Sequence, residues 1–197
     1  PKLPSFQQLT FRRGTVHEAR FSPDGQTVVY GARWDGGTAQ VYSTRRESPE
    51  SSALALPPGN LLAISSKGDL AVTLGCRWIG LLGCVGTLAR MPLSGGAPRE
   101  ILQEVEWADW SPDGSQLAIV RYVNGRQRLE YPAGKVLAET TGLISHPRFS
   151  PRGDGIAFLE HPPRSDAGSV EFVDLSGNKT TLSGGWSTIR GLAWSPK

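Results

Sequence analysis

The side chains most able to do chemistry in this 197-residue chain are three histidines and the charged residues that accompany two of them. Two of the histidines lie three or four residues before a phenylalanine, with charged residues close behind. Arginine guanidinium groups in such a cluster can bind a small anionic ligand or a peptide carboxylate. The alternative is mutual neutralisation, in which Arg20 or Arg148 pairs with an acid such as Asp109. Our candidate binding residues are His17, Glu18, Arg20, Asp109, His146, Arg148 and Arg190.

The same residues lack the spacing of a metal or catalytic site. Neither a His-x-His pair nor a carboxylate pair has the spacing of metal ligands, and we expect the histidines to be hydrogen-bonded or to face solvent. Walker, dinucleotide, EF-hand and CxxC motifs are missing from the sequence. The Gly-x-Ser-x-Gly elbow of serine hydrolases is missing too. We therefore predict no metal, no cofactor and no catalytic residue, and expect the chain not to be an enzyme.

A second candidate surface is the apolar, glycine-rich segment 75–86, which we expect to form a long loop. A connection with this many apolar residues is expected either to pack against the rest of the protein or to contact a partner. The predicted partner contacts are Trp78, Ile79, Leu81 and Leu82. The segment also holds Cys76 and Cys84, which form either a disulfide across a hairpin or two buried free thiols.

A sequence repeat defines the elements that must position these residues. Related segments occur at 20–25, 63–68, 109–114, 148–153 and 193–197, and their large apolar residues fall at 21, 64, 110, 149 and 194. The repeating unit is therefore about 43 residues long. In the clearest copies a strand ends on Phe or Trp and Ser-Pro-Asp-Gly follows. Proline presets a bend, aspartate bonds back to the backbone, and glycine accepts a positive φ.

Each unit contains the pattern of four short strands. The second strands are continuous apolar runs at 27–30, 70–74, 117–120 and 156–159, as expected for strands covered on both faces. Third strands are predicted at 39–43, 87–92, 126–131 and 169–174, and fourth strands at 53–56, 99–102, 135–138 and 179–182. Four strands in a unit of this length are typical of a propeller blade, and helical periodicity is nearly absent.

The predicted fold is therefore an all-β propeller of four-stranded antiparallel blades, forming one domain over residues 1–197. The blades are expected at about 15–57, 58–103, 104–139 and 140–183. Strands without a blade of their own are expected at 5–11 and 188–194, which makes the propeller incomplete. Residue 1 is proline rather than methionine, so we expect the chain to be a piece of a longer protein.

The repeat resembles the WD40-like repeats of TolB-type propellers. The resemblance rests on residues 21–25 and 110–114, with weaker copies at 64–68 and 149–153. Residues 6–25 and 180–196 resemble the propeller segments of bacterial multidomain proteins, in which such a module often follows a Ser/Thr kinase or other signalling domain and a membrane anchor. The resemblance implies a non-catalytic protein- or peptide-binding module, with the candidate binding residues at the mouth of its central channel. The alternative is the gating propeller of a serine peptidase related to prolyl oligopeptidase, whose hydrolase domain would lie outside these residues.

Charge and hydropathy narrow the class of partner. The pI is near 9.1, but the basic residues are scattered rather than concentrated on one stripe, so we predict no nucleic-acid binding. No run of 18 apolar residues occurs, so we predict no membrane insertion. A protein or peptide partner remains, together with a second copy of the chain paired through open blade faces. We expect an extracytoplasmic or periplasmic location, with any membrane anchor outside this sequence.

Overall fold

The computed structural model describes residues 6–79 and 83–195, and all regular secondary structure in these residues is β. In this part of the chain, no helix has the length and apolarity needed to cross a membrane. The strands are β1 (Gly14–Phe21), β2 (Thr27–Trp34), β3 (Gln40–Arg45), β4 (Ser48–Ala53), β5 (Gly59–Ile64), β6 (Asp69–Ile79), β7 (Gly83–Pro92), β8 (Arg99–Trp110), β9 (Leu117–Val123), β10 (Arg126–Glu130), β11 (Val136–Thr140), β12 (Leu143–Phe149), β13 (Gly155–His161), β14 (Gly168–Asp174) and β15 (Lys179–Trp186).

The strands form antiparallel sheets in which successive strands are neighbours, as the predicted fold class requires. We call β1–β4 blade 1 and β12–β15 blade 4. Strands β5 to β11 form one seven-stranded sheet, because the first part of β8 pairs with β7 and its last part pairs with β9. We call β5–β7 with residues 99–104 blade 2, and residues 105–110 with β9–β11 blade 3.

Strand β8 is continuous where the sequence predicts two separate strands. The chain bends within this strand, where pairing with β7 gives way to pairing with β9. The bend falls at Glu104, whose φ is +62°. We therefore propose to keep the blade boundaries at about 15–57, 58–103, 104–139 and 140–183.

The other predicted strands agree with the structure except near the outer edge of blade 1 and at the two ends. The predicted strand 53–56 is displaced to Ser48–Ala53, because a tight turn pairs Ser48 directly with Arg45. Residues 6–11 and 188–194 form no strand in the structure, although strands were expected at 5–11 and 188–194. The second segment nevertheless lies along blade 4, where the Arg148 Nε donates to the Leu192 carbonyl at 3.0 Å.

The Ser-Pro-Asp-Gly segments form turns held by their own side chains. In the second full copy, the Ser111 hydroxyl donates to the Asp113 carboxylate at 2.6 Å, and the Ser115 amide donates to the same carboxylate at 3.1 Å. These hydrogen bonds lower the pKa of Asp113 to about 2. Gly114 supplies the positive φ of 64° that the turn needs.

We call β1, β5, residues 105–110 of β8, and β12 the inner strands of blades 1 to 4. Large side chains at the ends of these strands pack blades 2, 3 and 4 on the preceding blade. Phe149 at the end of β12 is 6% exposed, and its ring meets the Tyr131 ring of blade 3 edge to face at 4.8 Å between centroids. Trp110 at the end of β8 packs among buried residues of blade 2, including Leu88. Phe21 holds the same repeat position in blade 1 and is 70% exposed. The core therefore lies largely between blades.

Residues 75–79 and 83–86 of the apolar segment belong to β6 and β7 and lengthen this hairpin, rather than forming the long loop that we expected. Cys76 and Cys84 are joined in a disulfide across this hairpin, with a Cα–Cα distance of 5.5 Å, within the usual range. The backbone of Trp78 pairs with Cys84 and that of Ile79 with Gly83. The other two predicted partner contacts, Leu81 and Leu82, lie outside the described residues.

Phe149→Ala should lower the free energy of unfolding by about 3–5 kcal/mol, because it leaves a cavity between blades 3 and 4. Phe21→Ala, the matched control at the exposed position of the same repeat, should change it by only about 0.5 kcal/mol. Urea denaturation of both variants measures the difference, at a protein concentration where the chain is monomeric. Equal losses would contradict packing of each blade through its terminal aromatic residue.

Candidate functional site

Each inner strand contains an irregularity near its start. The pairing register shifts between Val16 and Glu18 in β1, between Leu61 and Ala63 in β5, between Val105 and Trp107 in β8, and between Ser145 and Arg148 in β12. A β-bulge leaves one extra residue out of the ladder and turns its side chain to a new direction. The residues released by these shifts include His17, Leu62, Glu106 and His146, and all four line one cavity.

This cavity has a volume of 670 Å³ and lies where the inner strands of the four blades converge. Residues 189–192 close part of its wall. Six of the seven predicted binding residues line it: His17, Glu18, Arg20, His146, Arg148 and Arg190. The seventh, Asp109, lies outside the lining. The volume suits a small ligand or a short peptide segment.

Glu18 joins blade 1 to blade 4 across the cavity. It is 7% exposed and accepts a hydrogen bond from the Arg20 Nη1 at 2.7 Å. From blade 4, the His146 Nε2 lies 3.5 Å and the Arg148 Nη2 lies 3.8 Å from its carboxylate oxygens. One carboxylate of blade 1 thus faces a guanidinium group from each of the two blades.

Asp109 serves the contact between blades 3 and 4. Its carboxylate accepts a hydrogen bond from the Phe149 backbone amide at 2.8 Å. Burial raises the pKa of Asp109, and the nearby Arg148 and Arg20 oppose that rise. The structure therefore contains the mutual neutralisation that the sequence left as an alternative. Within the described residues, the buried Nη2 of Arg20 has no hydrogen-bond partner.

His146 is held in the cavity wall as a neutral imidazole. Burial, followed by the charges of Arg148 and Arg20, lowers its pKa to about 3. Its ring lies against the Trp107 ring, with 4.4 Å between centroids. The φ of His146 is +50°, which accompanies the bulge that points the side chain inward. His17 lines the same cavity, and its pKa is also lowered, by burial and by Arg33.

A buried serine and histidine fix the orientation of His146, and sequence reasoning did not identify them as a pair. The His161 Nδ1 lies 3.0 Å from the Ala167 carbonyl, so this nitrogen must carry the proton. The His161 Nε2 then accepts from the Ser145 hydroxyl at 3.0 Å, and the Ser145 oxygen accepts from the His146 Nδ1 at 2.9 Å. Ser145 is 2% exposed, and its hydroxyl links the rings of His146 and His161.

Glu106, which lies on the same inner strand as Asp109, also lines the cavity. It is 5% exposed, and the Gln127 amide donates a hydrogen bond to it. Burial raises the pKa of Glu106 to about 7, although hydrogen bonds from the Trp107 and Gln127 side chains favour the ionised form. Within the described residues, no group of three or more His, Cys, Asp or Glu side chains is arranged to hold a metal ion.

Comparison with known proteins identifies the fold. No protein-family model matches the chain, and no curated protein matches it in sequence. Among solved structures, it is similar to TolB from Acinetobacter baumannii, with a TM-score of 0.70, 18% identity, and coverage of 94% of this chain and 47% of that one. A putative TolB from Agrobacterium tumefaciens has a TM-score of 0.67 and 19% identity, with coverage of 86% of this chain and 66% of that one. The tricorn protease has a TM-score of 0.63 and 18% identity, with coverage of 88% of this chain and 19% of that one. The chain therefore has a TolB-like β-propeller fold and spans less than two thirds of these proteins.

Glu18→Gln should lower the free energy of unfolding by about 3 kcal/mol, because it leaves two largely buried guanidinium groups without their carboxylate. Asp35→Asn removes the carboxylate of the exposed Arg12–Asp35 pair and should cost less than about 1 kcal/mol. Urea denaturation at neutral pH measures both values. A Glu18→Gln variant as stable as Asp35→Asn would show that the cluster does not hold blades 1 and 4 together.

Proposed function

We propose that the chain is a non-catalytic propeller module that binds a protein or peptide, with a carboxylate of the ligand entering the central cavity. The observation that carries this proposal is the buried Nη2 of Arg20, which faces no acceptor in the described residues. A buried donor without a partner costs roughly 1–3 kcal/mol, and more when it is charged. A ligand carboxylate that accepts from Arg20 removes this cost.

The surroundings of Arg20 support an anionic ligand group. Arg148 is close enough to Arg20 for each to feel the other's charge, and its pKa is lowered by burial and by Arg20. Arg190 stands at the edge of the cavity, where its guanidinium pairs with the exposed Asp166 at 3.1 Å. Guanidinium groups bind carboxylates and phosphates through charge-assisted hydrogen bonds.

We further propose that the module is a sensor or scaffold within a larger bacterial signalling protein. Proteins in which such a module accompanies a Ser/Thr kinase are included in this proposal. Its support is the resemblance of the repeat segments. We also place the module in an extracytoplasmic or periplasmic compartment, because the Cys76–Cys84 disulfide persists in oxidising surroundings.

A second candidate function is a gating propeller for a serine peptidase of the prolyl-oligopeptidase type. The observation that favours it is the similarity in fold to the tricorn protease, at a TM-score of 0.63. The domains that the parent gene encodes beside this segment distinguish the two functions. A hydrolase domain of the α/β type encoded beside this segment favours the gate, whereas a kinase and a membrane helix favour the signalling module.

Binding of N-acetyl-triglycine, which carries a free carboxylate, tests the proposed function by isothermal titration calorimetry. We expect this probe to bind the chain more tightly than its C-terminal amide, since only the carboxylate completes the contacts of Arg20. Arg20→Gln should weaken binding of the acid by roughly tenfold or more. Arg12→Gln, at an exposed arginine that does not line the cavity, is the matched control and should bind normally. Equal binding of acid and amide would overturn the proposal.

We also propose that two copies pair through the open faces of blades 1 and 4. Phe21 and Val16 are exposed on β1, and Leu182 and Trp186 are exposed on β15. Phe21→Glu places a charge in this apolar surface and should shift the solution mass from dimer to monomer. Tyr122→Glu, which changes an exposed aromatic residue on β9, is the control and should leave the mass unchanged. A monomeric wild-type chain at high concentration in light scattering would contradict this part of the proposal.

A further inference from the structure

Glu106 occupies the position in blade 3 that His17 occupies in blade 1. Both residues lie four positions before the large residue that ends the inner strand, and both are released from the ladder by a register shift. Glu106 lines the cavity and is 5% exposed. The fold therefore directs a carboxyl group into the wall of the cavity.

A fixed hydrogen-bond network holds this carboxyl group as an acceptor. Gln127 is fully buried, and its side-chain oxygen accepts from the Ile144 backbone amide. The amide nitrogen of Gln127 must then face Glu106, where it donates to one carboxyl oxygen. The network thus supplies Glu106 with a neutral donor and fixes its position.

The charged neighbours of Glu106 are already engaged with other acids. Arg20 and Arg148 face Glu18, and Arg190 pairs with Asp166. Among the described residues, no ion pair includes Glu106. The titratable and charged cavity groups on the elements around it are His17, Glu18 and Arg20 from β1, His146 and Arg148 from β12, His161 from β13, and Arg190.

A buried carboxylate without a cation is costly, and a ligand cation offsets that cost. The raised pKa of Glu106, about 7, reflects its burial. A metal ion is a poor candidate for the cation, because the described residues contain no cluster of three or more ligating side chains. A single carboxylate with an amide beside it suits an ammonium or guanidinium group.

We propose that Glu106 forms a cation subsite of the cavity, which pairs with a lysine or arginine side chain of a peptide whose carboxylate is bound by Arg20. This inference rests on the proposed peptide-binding function and makes it more specific. The preferred ligand is dipolar, with an anionic end toward blade 1 and a cationic group toward blade 3. A purely anionic ligand satisfies only the arginines.

The test compares two peptides that differ only in the cation, N-acetyl-Gly-Lys-Gly and N-acetyl-Gly-norleucyl-Gly, both with free carboxylates. At about pH 8 we expect the lysyl peptide to bind roughly tenfold more tightly to the wild-type chain in calorimetry. Glu106→Gln keeps an oxygen acceptor for Gln127 and should abolish this preference while it retains binding of the norleucyl peptide. Glu139→Gln, at an exposed carboxylate on β11, is the control and should preserve the preference. Thermal unfolding checks that each variant is folded.

The pH dependence gives an independent readout. The lysyl ammonium stays charged across neutral pH, while Glu106 becomes protonated as the pH falls through about 7. The tenfold preference should therefore shrink at about pH 6 and be full at about pH 8. His146, with a pKa lowered to about 3, stays neutral over this interval.

The outcomes separate the two proposals. Equal binding of both peptides by the wild-type chain overturns the cation subsite and leaves carboxylate binding intact. A preference that persists in Glu106→Gln also overturns the subsite, because another group must then recognise the ammonium. Failure of both peptides and of N-acetyl-triglycine to bind overturns the proposed function and this inference with it.

Discussion

Burial of large side chains between blades is the constraint on which the rest of the structure depends. A four-stranded blade cannot bury both of its faces alone, so each blade is stable only beside a neighbour. Phe149 is buried because blade 3 lies against it, whereas Phe21 is exposed because no described blade covers it. The same residue type at the same repeat position thus differs in burial according to its neighbour. In this fold, the burial that stabilises a blade occurs at its contact with an adjacent blade.

Side-by-side stacking also determines the chemistry at the axis. The inner strands converge, and their polar side chains are withdrawn from water while backbone amides of neighbouring blades come within reach. Asp109 accepts from the backbone of blade 4, and Glu18 meets two residues of blade 4. Buried charges persist only when they are paired or hydrogen-bonded. The inner strands therefore carry the polar residues that hold the blades in register and also form the cavity.

The sequence was sufficient to predict the blades, because the repeat and its turns are local. Strand type follows from four to five apolar residues, and the turns are closed by their own serine and aspartate side chains. Local pattern also placed six of the seven candidate residues on the cavity, since first strands converge in any propeller. It did not predict the continuous β8, the extended β6–β7 hairpin or the inner-strand bulges. These depend on connection length and on pairing between strands rather than on residue pattern.

The partnership of Glu106 with Gln127 was beyond sequence reasoning for the same reason. The two residues are 21 positions apart, and only the bulge in β8 and the pairing within blade 3 bring them together. Glu106 differs from Glu18 and Asp109, the other inner-strand carboxylates, because both of those feel arginine charges. Among these three inner-strand carboxylates Glu106 is the exception, since its hydrogen-bond donors are the neutral side chains of Trp107 and Gln127. Such local exceptions are expected where binding rather than stability determines the residue. The position of this exception, in the wall of the cavity, makes a ligand cation its natural counter-ion.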